Sequence, residues 1–357
     1  MSDATLSSCD VPLAETADAV LLDLDGVVWR GAEAVEHASE VLATLTRAGI
    51  PPVYVTNNAS RPPSVVSDQL TSLGIPTDPA HVMTASLAVT TMLHRELSPG
   101  ARVLCVGGAG LHQAVANAGF EVVTSADDGP VAVVQGYGPD VGWSQLTQAA
   151  YAIEDGAAYF ATNLDATLPT ERGMAVGNGS LVAAVVSATG VRPISTGKPQ
   201  PGIFHEAAEL VGATHPVMVG DRLDTDLAGA RNAGYPGLHV LTGVSQAPAL
   251  LAAPVAERPS FLGLDLRALL ETHPAVTTAD GHTVCRQARV RVDGDGVVLV
   301  RDDQDVQLTS GLTVTLDELR ALCVAFWSRA DAGAPLPVGT LAPDLVVAGT
   351  REAEAVA

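Results

Sequence analysis

The sequence predicts an α/β protein: a Rossmann-like core with a parallel sheet, an inserted α/β domain and a small α+β C-terminal appendage. Three observations predict it. Near each end of the first 270 residues, short β-branched runs alternate with amphipathic stretches, as in β-α-β-α succession. A second α/β series, about residues 83–195, interrupts that rhythm. Beyond residue 274 the pattern changes to alternating strands and one long helix.

Taken in order, AVLLDLD (19–25) reads as a buried strand, too short and too evenly apolar for a helix. AEAVEHASEVLATLTRAG (32–49) has apolar residues at helical spacing and stops at Gly49. PPVYVTNN (51–58) is a second strand, followed by a proline-led helix at 62–73. The inserted series contains RVLCVGG (102–108), VAVVQGYG (131–138) and AAYFATN (157–163). The first rhythm resumes with a helix at 201–212, a strand at 216–221, a helix at 224–234 and a strand at 237–241. CRQARVRVDGDGVVLVRDD (285–303) is a hairpin around a Gly/Asp turn. TLDELRALCVAFWSRAD (315–331) is a helix with Thr315 as N-cap and Glu318 at the capping-box position.

Composition narrows the function. The 357 residues suffice for two or three domains, and 47% hydrophobic against 17% charged residues reads as globular. Forty acidic and nineteen basic residues give a charge of −21, which leaves no electrostatic footprint for nucleic acid or an anionic membrane. An anionic substrate would be repelled at long range, so its site must hold a local positive charge. Cys9, Cys105, Cys285 and Cys323 form no C-x-x-C pair, which fits a reducing cytosol. The first fifteen residues lack the basic and apolar regions of a signal peptide, and no apolar run is long enough to span a bilayer. A cytoplasmic location is the expectation.

Chemistry-bearing residues recur at strand ends. Asp23 and Asp25 follow the first apolar run and should emerge at its C-terminal end, where open α/β sheets place ligands. Paired carboxylates there can hold a divalent metal and divide nucleophile and acid/base work, although D-x-D-G is also an ordinary turn. Thr56, Asn57 and Asn58 end the second strand, where a hydroxyl and consecutive amides can cradle an anion. Asp221 follows the 216–221 strand, with Asp224 and Asp226 close behind, an oxygen-only set suited to Mg²⁺; Asp224 or Asp226 could instead cap the next helix. Lys198, the only lysine in the chain, stands in TGKPQP just before a helix, a point charge suited to phosphate or carboxylate.

In this order, LLDLDG, VYVTNN, TGKPQP and VMVGDRLDTD resemble motifs I to IV of the haloacid dehalogenase (HAD) superfamily of phosphatases, over roughly residues 17–262. The long insertion resembles the class II α/β cap of para-nitrophenylphosphatases and phosphoglycolate or glycerol-3-phosphate phosphatases, with GDRLDTD and ATNLDATLPTERG…GNGSLVAAV especially similar. The resemblance implies a split HAD core at 1–82 and 196–270, a cap at 83–195 and a separate module at 275–357. It implies that Asp23 is the nucleophile, Asp25 the general acid and base, and that Mg²⁺ is held by Asp23, the Asp25 carbonyl and Asp221, with Asp226 behind. Thr56, Asn57, Asn58 and Lys198 would hold the phosphoryl group. In the cap, Asn163, Asp165 and Arg172 are candidates for contacts to substrate hydroxyls or a carboxylate.

The expected substrate is a small phosphorylated metabolite, glycerol 3-phosphate first and 2-phosphoglycolate second, with pyridoxal phosphate or nucleotide monophosphates as rivals. VGGAGLHQAV (106–115) lacks the third glycine of a dinucleotide loop and reads as a tight strand-to-helix turn. RVDGDG (291–296) fits the acyl-CoA loop of GNAT acetyltransferases, and the tail loosely resembles the GNAT-like module of some actinobacterial phosphatases. A strand follows that loop rather than a helix, and its aspartates would repel pyrophosphate. A structural or dimerising tail, compatible with a homodimer, is therefore expected over an acyl-CoA-binding or regulatory protein with a vestigial phosphatase half.

Overall fold

Val20–Leu22, Val217–Gly220, Gly237–Val240 and Phe261–Gly263 are parallel strands in which every residue is buried. Unbroken apolar runs suit a parallel sheet covered on both faces, because no side chain turns to water. The computed structural model describes residues 5–170, 172–294, 296–342 and 344–350. The chain divides into two compact units, Met1–Pro52 with Ala213–Ala357, and Val53–Gly212.

In the first unit, the helix expected from residue 32 begins only at Ala38 and ends at Arg47. Trp29–Arg30 and Glu33–Ala34 pair instead as a short antiparallel hairpin, turning at Gly31 with φ +57°. Local pairing and the burial of Trp29 override the helical propensity of the Ala/Glu run. The helix then buries Ala38, Val41, Leu42 and Leu45, the one-sided spacing of an amphipathic helix.

The appendage belongs to this unit. Val276–Ala279, His282–Cys285, Ala288–Asp293, Gly296–Arg301 and Gln304–Gln307 form an antiparallel meander, including the expected hairpin. Asp295 of the Gly/Asp turn lies outside the described residues. Helix Leu316–Asp331 starts in the expected capping box, with the Thr315 amide donating to Glu318 Oε2 at 2.8 Å and the Glu318 amide to Thr315 Oγ1 at 3.2 Å. Leu319, Leu322, Cys323, Phe326 and Trp327 of this helix share one apolar cluster with Leu223, Leu227, Leu241, Leu250 and Leu262. Polar ties seal the joint: Trp327 Nε1 donates to the Leu250 carbonyl at 2.8 Å, and Arg320 to the Leu262 carbonyl at 2.6 Å. The buried Arg258 forks onto Asp331 through two 2.8 Å bonds, its guanidinium 5.3 Å from the Trp327 ring centroid.

In the second unit, Pro52–Thr56 pairs in parallel with Val82–Thr84. A separate parallel sheet runs in the order Ile194–Ser195, Ala158–Ala161, Ala132–Gln135, Arg102–Val106, Glu121–Val123. Its alternate residues feed two cores, as the period of two demands. Leu104, Val133 and Tyr159 face Ala149, Ile153 and Val182 on one side; Val103, Val134 and Phe160 face Val89, Leu111 and Val115 on the other. The stretch 162–173 leads into a hairpin, Thr167–Thr170 with Gly173–Val176. An isolated two-stranded ribbon tolerates Pro169, whose missing N–H would interrupt a central strand.

Candidate active site

Leu22 pairs with Val219 in parallel, so Asp23 and Asp221 leave their strands at the same edge, and the Asp23 amide donates to the Val219 carbonyl at 2.9 Å. After Asp221 the chain makes a π-helical turn, Leu223–Leu227, rather than a regular first helical turn. Its wider winding carries Asp226 back over the strand end, where Asp226 Oδ2 accepts the Arg222 amide at 3.1 Å. Asp23 is 8% exposed and Asp221 and Asp226 are fully buried, yet each offers an oxygen, and these lie within 4.8 Å of one another. Three buried carboxylates this close repel one another unless a cation is shared, and an all-oxygen set suits a hard divalent ion. The residues present fit Mg²⁺.

Backbone closes in around Asp221. Its Oδ2 accepts the Val244 amide at 2.6 Å, and its carbonyl accepts the Ser245 amide at 3.0 Å. A Cβ at Gly243 would lie 1.8 Å from that same oxygen. One at Gly26, where φ is +91°, would lie 2.6 Å from it. Only glycine lets the two loops approach the carboxylate this closely. Behind them His239 is fully buried, with Nε2 facing the Ser245 carbonyl at 2.9 Å, and burial pushes its pKa down to about 4. Asp224 neither joins the carboxylates nor caps a helix; it pairs with Arg222 at 2.8 Å. Asp25 is exposed on the loop beyond Asp23, its Oδ1 accepting the indole N–H of Trp29 at 2.8 Å.

The remaining predicted residues gather within the second unit. Thr56 and Lys198 are each 4% exposed. The Thr56 hydroxyl accepts the Asn58 amide at 3.1 Å, and Lys198 Nζ donates to the Val55 carbonyl at 3.3 Å. Asn57 brackets the Lys198 backbone, accepting its N–H at 2.8 Å and donating to its carbonyl at 3.2 Å. Asn163 donates to the Asn57 carbonyl at 2.7 Å, and Asp165 accepts from Asn57 Nδ2 at 3.1 Å. Asn163 and Asp165, expected at substrate, thus hold Asn57, while Asn58 Oδ1 accepts the Ser60 hydroxyl at 2.7 Å. Arg172 is exposed at the hairpin turn, and Glu171 beside it lies outside the described residues.

VGGAGLHQAV is the strand-to-helix turn expected, and its glycines have a packing reason. A Cβ at Gly110 would fall 2.7 Å from the Ser60 carbonyl carbon, and the Gly110 amide donates to the Ser60 oxygen at 3.2 Å. The turn accommodates the loop that follows Thr56. Sequence reading missed the Val244 and Ser245 amides and the bond from the Trp29 indole to Asp25. Amides have no side-chain signature, but the glycine in TGVS was a hint of close approach.

The haloacid dehalogenase-like hydrolase model matches residues 20–121, and a HAD-hydrolase-like model matches 195–269. The D-glycerol 3-phosphate phosphatase of Mycobacterium tuberculosis is 40% identical over 317 residues, 88% of this chain and 87% of its own length. The chain belongs to the haloacid dehalogenase-like hydrolase family. Among other HAD relatives, the acid sugar phosphatase of Staphylococcus aureus is 38% identical over 229 residues, 64% of this chain and 87% of its own. The crystal structure of a glycerol phosphate phosphatase from M. tuberculosis with magnesium superposes at a TM-score of 0.80, with 37% identity over 97% of this chain and 98% of that one. A p-nitrophenyl phosphatase from Archaeoglobus fulgidus reaches 0.66 at 27% identity, covering 71% of this chain and 98% of its own.

Proposed function

We propose that this HAD-family chain is a Mg²⁺-dependent phosphomonoester hydrolase acting through an aspartyl-phosphate, with glycerol 3-phosphate as its principal substrate. The buried convergence of Asp23, Asp221 and Asp226 carries the mechanism. The substrate assignment rests on the M. tuberculosis D-glycerol 3-phosphate phosphatase, whose similarity spans 88% of this chain.

Asp23, Asp221, Asp226 and the Asp25 carbonyl would hold Mg²⁺, which supplies compact positive charge beside the phosphoryl oxygens. An Asp23 carboxylate oxygen attacks phosphorus while the bond to the ester oxygen breaks and that oxygen takes the proton of Asp25. Water then attacks the aspartyl-phosphate, giving its proton to Asp25 as the bond to Asp23 breaks and phosphate is released. The Thr56 hydroxyl, the amides around Asn57 and Asn58, and the Lys198 ammonium hold the phosphoryl oxygens and balance their charge. Asn163 and Asp165 contribute through Asn57, and Arg172 offers donors to the substrate's organic portion.

Residues 83–195 are assigned as the cap within a core drawn from 1–82 and 196–270, with 275–357 as the appended module. The finer reading includes a cytoplasmic homodimer, and the four free thiols support the compartment. A panel of glycerol 3-phosphate, 2-phosphoglycolate, pyridoxal phosphate and nucleotide monophosphates at fixed Mg²⁺ tests the assignment. The highest kcat/KM belongs to glycerol 3-phosphate, and Asp23→Asn abolishes turnover in a folded chain. Equal rates across the panel would defeat the substrate, and an active Asp23→Asn the mechanism.

A further inference from the structure

We propose that Trp29 is a positioning residue for the general acid and base, a role that rests on the phosphatase reading of Asp25. Asp25 is exposed on a turning loop, where a carboxylate would ordinarily sample several rotamers. Trp29 is only 4% exposed, and its indole N–H, a donor with no acceptor capacity, reaches Asp25 Oδ1 at 2.8 Å. The indole is itself fixed. The Trp29 amide donates to the Leu24 carbonyl at 3.1 Å, its carbonyl accepts the Gly26 amide at 2.8 Å, and the strand pairs with Ala34. A buried ring thus holds one oxygen of an exposed acid.

The consequence is a division of labour between the two oxygens. Oδ1 faces a donor and must accept, so a proton carried by Asp25 resides on Oδ2. Oδ2 therefore gives the proton to the departing ester oxygen and later takes one from water, with Trp29 holding the carboxyl in a single orientation for both transfers. Geometry of this kind contributes through proximity, since a misplaced acid transfers its proton less often.

The test separates leaving groups. p-Nitrophenolate departs without a proton, whereas the glycerol alkoxide needs one. In Trp29→Phe, single-turnover cleavage of glycerol 3-phosphate falls about tenfold. The first turnover of p-nitrophenyl phosphate stays near the wild-type rate, and its later turnovers slow, giving a burst because water attack still needs Asp25. KM for glycerol 3-phosphate is unchanged because both of its steps slow together, whereas KM for p-nitrophenyl phosphate falls as breakdown of the phosphoenzyme becomes limiting. If Trp29→Phe does not fold, β-(3-benzothienyl)alanine at position 29 keeps the ring shape and removes only the N–H. A fall of the same size in both first turnovers, or in neither, overturns the positioning role. Wild-type enzyme that never forms phospho-Asp23 would instead defeat the underlying phosphatase reading.

Discussion

Lys198 is the single ammonium of the chain, buried to 4%, its Nζ on the Val55 carbonyl and its backbone clasped by the Asn57 amide. A guanidinium is planar and broader and does not fit where a compact charge is enclosed. Lys198→Arg therefore loses about 100-fold or more in kcat, measured in a chain whose circular dichroism shows it still folded. At Gly243 the obstacle is steric, since an added Cβ would lie 1.8 Å from Asp221 Oδ2. Gly243→Ala displaces that carboxylate, and the Mg²⁺ concentration for half-activation rises about 10- to 100-fold. The placement of Asp23, Thr56 and Asp221 at strand ends and of Lys198 before a helix was legible, because local pattern locates such positions. The Asn57–Lys198 clasp joins residues 141 apart, and only folding brings such partners together.

At the scale of elements, buried runs and caps were the legible part. The Val20–Leu22 strand and the Thr315 capping box lie within the stretches read for them. The Trp29–Ala34 hairpin and the π-turn at Leu223–Leu227 were not legible, because both arise where tertiary burial overrides helical propensity. Trp327 on the last long helix is 1% exposed with its N–H on Leu250, so Trp327→Ala costs about 3–5 kcal/mol in denaturant unfolding. The Gly237–Val240 strand brings a pH dependence. His239 is buried uncharged, with a pKa lowered from 6.5 to about 4, so only the unfolded chain takes up its proton between those values. Stability consequently falls as pH drops through this window, by on the order of 3 kcal/mol. His239→Gln flattens that slope in melts across the same range.

At the scale of the molecule, the appendage is no loosely tethered domain. Its helix shares an apolar cluster with Leu223, Leu241, Leu250 and Leu262 beside the carboxylate edge. The A. fulgidus phosphatase covers 71% of this chain, whereas the M. tuberculosis structure covers 97%. Deleting 275–357 exposes the shared cluster, so the truncated chain is recovered in inclusion bodies. A soluble truncation with unchanged substrate preference would refute that reading of the interface.

Trp327 also has an optical consequence. It lies in the shared cluster under Arg258, whereas Trp143 is 80% exposed. The blue edge of the emission spectrum therefore comes from the interior, and its red edge from the surface of the other unit. Replacing Trp143 by phenylalanine leaves an emission that follows the opening of the carboxylate half directly. That red shift and the loss of phosphate release then share one denaturant midpoint.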